Sequence, residues 1–90
     1  MIGNFVSINR HVSIGHHVTI NDFVTINPAS NIAGHVSVGE GTTIGMGSNI
    51  TDNIKIGKNS IIGAGSLVLS DIPDNVIAFG NPCKVVRDNQ

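Results

Sequence analysis

The sequence predicts an all-β protein, a parallel β-helix, and a single period carries most of the prediction. An aliphatic residue recurs at every sixth position, which fits neither an amphipathic α-helix nor a simple alternating strand. A period of six instead matches one short strand followed by one corner, the repeating unit of a β-helix. The residues in this phase are Ile2, Ile8, Ile14, Ile20, Ile26, Ile32, Val38, Ile44, Ile50, Ile56, Ile62 and Val68.

A second periodic position supports the same fold. With the aliphatic residue as position one, position five lies two residues before the next aliphatic residue and points to the same face of the strand. It is small or β-branched, as a narrow interior requires. The residues at position five are Val6, Val12, Val18, Val24, Ser30, Val36, Thr42, Ser48, Ile54, Ser60 and Ser66.

Position two predicts where the chain turns. It is Gly or Asn in nine of the twelve repeats, for example Gly15 and Asn21. Because these residue types tolerate a positive φ better than others, we expect position two to form the corner between strands.

The repeat divides the chain into two segments. Residues 1–69 are expected to form the hexapeptide-repeat β-helix. The period fails over residues 70–90, which we expect to be a C-terminal capping segment and tail covering the last coil. Met1 enters a repeat directly and leaves the first coil uncovered, so we expect a fragment or shortened version of a longer protein.

Composition excludes several classes of partner. Ninety residues with a net charge of −1 provide no positive stripe to follow a phosphate backbone, which argues against nucleic acid. No apolar run reaches membrane-spanning length, and the N-terminus lacks a signal-peptide core. The single cysteine, Cys83, fits a reducing compartment, so we expect a cytoplasmic protein that does not bind a membrane.

Particular motifs narrow the class further. The stretch IGHHVTINDFVTINP, the pair IGMGSN and IGAGSL, and the ending DIPDNVIAFGNPCKVV resemble sugar acetyltransferases of the left-handed β-helix class. The resemblance is to the C-terminal half of the sialic acid O-acetyltransferase family and its bacterial amino-sugar N-acetyltransferase relatives. It implies a left-handed parallel β-helix of about four triangular coils, a homotrimer, and acetyl-CoA bound between subunits as co-substrate. The implied acceptor is a sugar or nucleotide-sugar, with hydroxyl and amine acceptors both open.

Coils of three hexapeptides place residues eighteen apart on top of one another, roughly 4.8 Å apart as neighbouring strands are. His16 then lies on the same edge of the prism as Gly34, and His17 stacks on His35. Met46 lies on another edge. A site that uses both His16 and Met46 therefore requires two subunits.

The resemblance also identifies a candidate general base. Acetyl transfer needs a group that removes the acceptor's proton, and histidine suits this because it titrates near neutral pH. In the family pattern the base is a His in a V/I-x-H-[DE] context, and His16 in IGHH occupies that place. Here His17 replaces the acidic neighbour, so Asp22 or a carboxylate of another subunit would have to serve instead. The alternative is that His16 is an ordinary polar corner residue.

The same resemblance assigns candidate acetyl-CoA contacts. Thr25, Gly34, Met46 and Ala64 match positions that contact the cofactor in the family. Lys84, after the GNP turn, is placed to donate to the CoA phosphates. Gly34 equally fits an ordinary corner glycine, and Lys84 an ordinary charged tail.

Two other functions stay open. Related left-handed β-helices include the γ-class carbonic anhydrases, which hold zinc with histidines from two subunits. A zinc protein of this kind stays open as an alternative because the chain has four histidines, His11, His16, His17 and His35. The acetyltransferase interpretation expects no metal. The third interpretation is an inert trimerisation module, because the acceptor-binding N-terminal half of the resembling enzymes is absent from this chain.

Overall fold

Residues 1–89, the part of the chain that the computed structural model describes, contain thirteen β-strands and no helix. Eleven of the strands are two residues long and recur every six residues. They are Ser7–Ile8 (β1), Ser13–Ile14 (β2), Thr19–Ile20 (β3), Thr25–Ile26 (β4), Asn31–Ile32 (β5), Ser37–Val38 (β6), Thr43–Ile44 (β7), Asn49–Ile50 (β8), Lys55–Ile56 (β9), Ile61–Ile62 (β10) and Leu67–Val68 (β11). Two longer strands follow, Val76–Gly80 (β12) and Cys83–Asp88 (β13).

Strands three apart in sequence pair in parallel, so the chain completes one coil every eighteen residues. In the first pair, Ser7 lies opposite Thr25 and Ile8 lies opposite Ile26. The strands form three sheets, ordered β1-β4-β7-β10-β12-β13, β2-β5-β8-β11 and β3-β6-β9, which are the three faces of a prism. The predicted left-handed parallel β-helix of about four coils is confirmed. Within residues 1–89, no helix has the length and apolar character that crossing a membrane requires.

The core is the column of side chains enclosed by these faces. Position-one residues such as Ile26, Ile44 and Ile62 are fully buried, and position five points inward as predicted. Burying a side chain of this size contributes about 1.5–3 kcal/mol, so the column supplies most of the stabilisation. The first coil is less covered, since Val6 and Val12 are only partly buried.

Hydroxyl groups replace aliphatic side chains at position five of the later coils, and they are paired. Ser30 Oγ donates to the Gly45 carbonyl at 2.9 Å, and Thr42 Oγ1 donates to the Gly57 carbonyl at 2.6 Å. Thr42 Oγ1 also accepts from the Ser60 amide at 3.1 Å. Among the residues that the structure describes, every buried side-chain nitrogen and oxygen has a hydrogen-bond partner.

The corner lies at position four, so the prediction that position two turns the chain was wrong. The position-four residues of the first eleven repeats all have a positive φ, and no position-two residue does. The position-four residues are Phe5, His11, His17, Phe23, Ala29, His35, Gly41, Gly47, Asn53, Asn59 and Gly65.

Close stacking of the coils explains the residues at position two. A Cβ added to Gly39 would lie 2.5 Å from the Gly57 carbonyl carbon, and one added to Gly45 would lie 2.5 Å from the Ala64 nitrogen. Asparagine at this position instead bonds to the next coil, as when Asn21 Nδ2 donates to the Val38 carbonyl at 2.8 Å. Position two therefore serves contact between coils and not the turn itself.

The C-terminal segment extends one sheet and then folds back on it. β12 pairs in parallel with β10, and β13 pairs antiparallel with β12 after a turn that contains a cis Asn81–Pro82 bond. Beyond β13, the Asn89 amide donates to the Asn75 carbonyl at 2.8 Å. Residues 83–88 are thus a paired strand, whereas an exposed tail was expected there.

Thr42→Val tests the interior hydroxyl network at nearly constant volume. The change leaves the Gly57 carbonyl and the Ser60 amide without their buried partner, so we expect the free energy of unfolding to fall by about 1–3 kcal/mol. Denaturant unfolding measures this. Thr43→Val is the matched control, because Thr43 is the next residue of the same coil and its side chain points outward. Equal effects of the two substitutions would contradict the role of the Thr42 hydroxyl.

Candidate functional site

Position-three residues stack along the three edges of the prism and give each edge its own chemistry. Backbone hydrogen bonds fix this alignment, such as those from the His35 amide to the His16 carbonyl and from the Gly47 amide to the Pro28 carbonyl, each 3.0 Å. The position-four residue that follows each position-three residue belongs to the same edge. We call the edges the histidine ridge (His16, Gly34 and Asp52, with His17, His35 and Asn53), the groove ridge (Arg10, Pro28, Met46 and Ala64, with His11, Ala29, Gly47 and Gly65) and the charged ridge (Asn4, Asp22, Glu40 and Lys58, with Phe5, Phe23, Gly41 and Asn59).

The histidine ridge brings together three exposed imidazoles from two neighbouring coils. His17 and His35 stack in parallel, with ring centroids 5.0 Å apart and ring planes within 3°. His16 stands perpendicular to both rings, at 5.2 Å from His17 and 5.1 Å from His35. The predicted stacking of His17 on His35 is confirmed.

A hydrogen bond joins the two adjacent histidines. His16 Nδ1 and His17 Nδ1 are 2.9 Å apart, so one ring carries the proton and donates it to the other. When His16 is the donor, its Nε2 keeps a free lone pair. The neighbour that replaces the expected carboxylate can therefore orient the His16 ring in the same manner.

Gly34 provides the space for the His16 ring. A Cβ built on Gly34 would lie 3.3 Å from His16 Cε1 and 3.4 Å from His16 Nε2. Gly34 does not have a left-handed φ, so its backbone conformation does not require glycine. Its lack of a side chain instead leaves space for the His16 ring. The structure thus places Gly34 against the candidate base and away from Met46.

The groove ridge carries an open, largely apolar depression of about 610 Å³. Met46 and Ala64 line it together, with Arg10 beside one end and Pro28 between. The position-four residues of the same edge complete the wall: His11, Ala29, Gly47 and Gly65. Of these four, only His11 was named from the sequence, as a possible zinc ligand; Ala29, Gly47 and Gly65 were missed, although their eighteen-residue spacing would have shown them.

The other two predicted cofactor contacts lie elsewhere in the chain. Thr25 is the outward residue of β4, between Ser7 and Thr43 on the largest sheet. Lys84 lies exposed on β13, opposite Phe79 of β12. One chain therefore groups Met46 with Ala64 in the groove, whereas Gly34 lies on a different edge. Thr25 and Lys84 lie on the sheet β1-β4-β7-β10-β12-β13 and are not among the residues that line the groove.

The two functional ridges border the same face of the prism. The sheet β2-β5-β8-β11 runs from the groove ridge to the histidine ridge, since each of its strands begins after one and ends before the other. Its outward side chains include Asn31 and Asn49, and Asn31 Nδ2 donates to Asn49 Oδ1 at 2.8 Å. His16 and Met46 are on different edges of one chain, as predicted.

Cys83 does not provide an alternative nucleophile. Its side chain is buried, and burial raises the pKa of the Cys83 thiol although a hydrogen bond with Ser66 opposes the shift. A buried thiol with a raised pKa carries little thiolate, the reactive form.

The fold and the repeats define the class as a left-handed β-helix of hexapeptide repeats. Residues 35–70 match the family described as bacterial transferase hexapeptide (six repeats). No curated protein matches the chain. The resemblance to acetyltransferases of this type is confirmed by solved structures.

Three of these structures illustrate the similarity. One is a mutant of perosamine N-acetyltransferase from Caulobacter crescentus in complex with CoA and GDP-perosamine. It is 37% identical to this chain with a TM-score of 0.94, and the match covers 97% of this chain and 41% of the perosamine N-acetyltransferase chain. Soybean serine acetyltransferase complexed with serine is 35% identical with a TM-score of 0.90, and the match covers 94% of this chain and 39% of the serine acetyltransferase chain. Maltose O-acetyltransferase from Clostridium difficile is 27% identical with a TM-score of 0.80, and the match covers 99% of this chain and 69% of the maltose O-acetyltransferase chain. The chain thus spans about two fifths of the first two proteins.

Proposed function

We propose that the chain is an acetyl-CoA-dependent acetyltransferase that modifies a sugar or nucleotide-sugar, with His16 as the general base. The observation that carries the proposal is the 2.9 Å contact between His16 Nδ1 and His17 Nδ1, which can hold His16 with Nε2 free to accept a proton. Structural neighbours that act on acetyl-CoA and small hydroxyl or amine acceptors support it. Perosamine N-acetyltransferase, a neighbour bound to CoA and GDP-perosamine, supports the acceptor class.

The proposed reaction is a single acyl transfer. His16 Nε2 removes the proton from the acceptor's hydroxyl or amine as that group attacks the thioester carbonyl. The carbon–oxygen or carbon–nitrogen bond forms, the carbon–sulfur bond breaks, and the CoA thiolate leaves and takes up the proton. His17 acts as a positioning residue, since its Nδ1 accepts from His16 and fixes which His16 nitrogen carries the hydrogen.

The groove ridge is the proposed site for the pantetheine arm of acetyl-CoA. Met46 and Ala64 offer apolar contact along the open depression, and the small neighbours Gly47 and Gly65 let a chain approach the backbone. Arg10 beside the groove offers a cationic donor for phosphate groups. Lys84 is the other cationic candidate for these phosphate groups.

A homotrimer would assemble the complete site. One sheet face separates the histidine ridge from the groove ridge of the same chain, so His16 of one subunit would meet the acetyl-CoA held in the groove of its neighbour. In this arrangement activity requires assembly. An inert trimerisation module is the second candidate, and the experiments below separate the two.

His16→Ala tests the base. We expect turnover with acetyl-CoA and a nucleotide-linked amino sugar to fall by roughly 10²–10⁴-fold, because the acceptor's proton loses its recipient. Steady-state kinetics measure this, with acetyl-CoA affinity and oligomeric mass as controls that should not change. Turnover that survives the substitution would remove His16 from the mechanism.

Gly34→Ala tests the position of the His16 ring. The added Cβ, 3.3 Å from His16 Cε1, would shift the imidazole by a few tenths of an ångström, and we expect turnover to fall by about 10-fold to 10²-fold. Stability should change by no more than about 0.5 kcal/mol because no left-handed φ is involved. In the His16→Ala variant, Gly34→Ala should cause no further loss of turnover. A second loss of the same size would show that Gly34 affects turnover through a group other than His16.

Met46→Ala tests the groove. Removing the apolar side chain should weaken acetyl-CoA binding by about tenfold, since each buried methylene contributes roughly 0.8 kcal/mol. Calorimetry with the assembled protein measures the affinity, and Glu40→Ala, at the same position of the charged ridge, is the matched control. Equal affinities of the two variants would show that acetyl-CoA does not bind in the groove. If the unaltered protein does not bind acetyl-CoA, the result favours the inert trimerisation module.

A further inference from the structure

The histidine ridge has a property that base catalysis does not use. Among residues 1–89, His16, His17 and His35 form the one group of three potential metal ligands whose donor atoms lie close together, all within 4.8 Å of one another. All three side chains are exposed and reach solvent from two successive coils. General-base catalysis needs only one of these rings and a partner for it, so the third imidazole has no role in that reaction.

The backbone conformation makes the third imidazole notable. His17 and His35 occupy position four with φ values of 56° and 61°, and the next residue in the same column is Asn53. Gly and Asn adopt this conformation at lower cost than His does, and the later corners of the chain use them. His17 and His35 therefore pair their rings at the same corner of two successive coils, at some expense to the fold.

We propose that His16, His17 and His35 bind one divalent transition-metal ion, with Zn²⁺ as the favoured ligand. Neutral imidazole suits Zn²⁺, Cu²⁺ and Ni²⁺, whereas Mg²⁺ and Ca²⁺ require oxygen ligands that this group lacks. Three protein ligands leave a fourth tetrahedral position for water.

The spacing of the rings is compatible with such a site. Tetrahedral zinc with Zn–N bonds of about 2.0–2.1 Å holds its nitrogen ligands about 3.3 Å apart. The His16 and His17 Nδ1 atoms are already 2.9 Å apart, and one donor atom from each of the three rings lies within 4.8 Å of the other two. Because the rings are exposed, rotation about their side-chain bonds can close the remaining distance without moving the backbone.

The metal would act as an inhibitor and not as a cofactor. An ion held by His16 uses a ring nitrogen and breaks the hydrogen bond to His17, so the base is no longer oriented or free to take a proton. This consequence rests on the proposed function; the binding of the ion does not.

The test is zinc binding by the complete, tag-free protein, measured by calorimetry with Zn²⁺ alone. We expect one ion per chain in the unaltered protein. Asn fits a positive φ, so His17→Asn and His35→Asn should fold as well as or better than the original and bind zinc at least about tenfold more weakly, since even indirect partners contribute about 10–100-fold. His11→Asn is the matched control, because His11 has the same position in its repeat and a φ of 60° but lies on the groove ridge.

Two further measurements check that the ion binds at these histidines. Co²⁺ in place of zinc should give visible absorption typical of nitrogen coordination, and this absorption should be lost in the His35→Asn protein. Zn²⁺ should raise the melting temperature of the unaltered protein and of the His11→Asn control, but not that of the other variants. Binding that persists in the His17 and His35 variants, or falls equally in the His11 variant, would overturn the site. An active enzyme that binds no zinc refutes the metal site only, and a zinc-binding chain that transfers no acetyl group refutes the proposed function only.

Discussion

Alignment of residues eighteen apart is the constraint on which the rest of the structure depends. Each of the eleven strands β1–β11 is only two residues long, so no single one of them could hold its place, and the order comes from amide-to-carbonyl bonds repeated from coil to coil. Thr25 N, for example, donates to Thr42 O at 3.1 Å, and each later coil repeats the pattern. Because the coils through β11 have the same length, each sequence position in them becomes a column; the C-terminal segment departs from this spacing, since Ile77 lies opposite Ile61. The position-one column is aliphatic, the position-two column carries contact between coils, and the position-three and position-four columns carry the candidate site residues.

Columns make neighbours of identical side chains that are distant in sequence. Phe5 stacks on Phe23 with centroids 5.3 Å apart, by the same geometry that places His17 on His35. In a less regular fold such pairs would need dedicated packing to hold them. Here the backbone supplies the alignment, and its left-handed corner turns each position-four side chain outward into solvent. A change of residue at one corner therefore alters the chemistry of a ridge with little effect on the core.

The period predicted the coil length, the interior positions and the separation of His16 from Met46, because all of these follow from arithmetic on a regular repeat. It did not locate the corner. Gly and Asn occur at positions two and four for different reasons, close stacking at Gly39 and a positive φ at Asn53, and residue preference alone does not separate them. The strand at 83–88 was missed because it lies beyond the repeat, where no period can indicate it. The bond between His16 and His17 depends on the rotamers of two adjacent side chains, which a pattern does not specify.

The arrangement of the ridges couples assembly to chemistry under the proposed mechanism. The β2-β5-β8-β11 face stands between a base and the groove of its own chain, and its small polar side chains, such as Asn31 and Asn49, suit contact with solvent or another subunit. A second copy is then the only route by which His16 reaches the thioester. In a single chain, the same geometry leaves all three imidazoles of the histidine ridge open to solvent. An ion bound there would lie where the two subunits present base and cofactor to each other, so a ligand of one chain would control the chemistry of the cleft that both chains form.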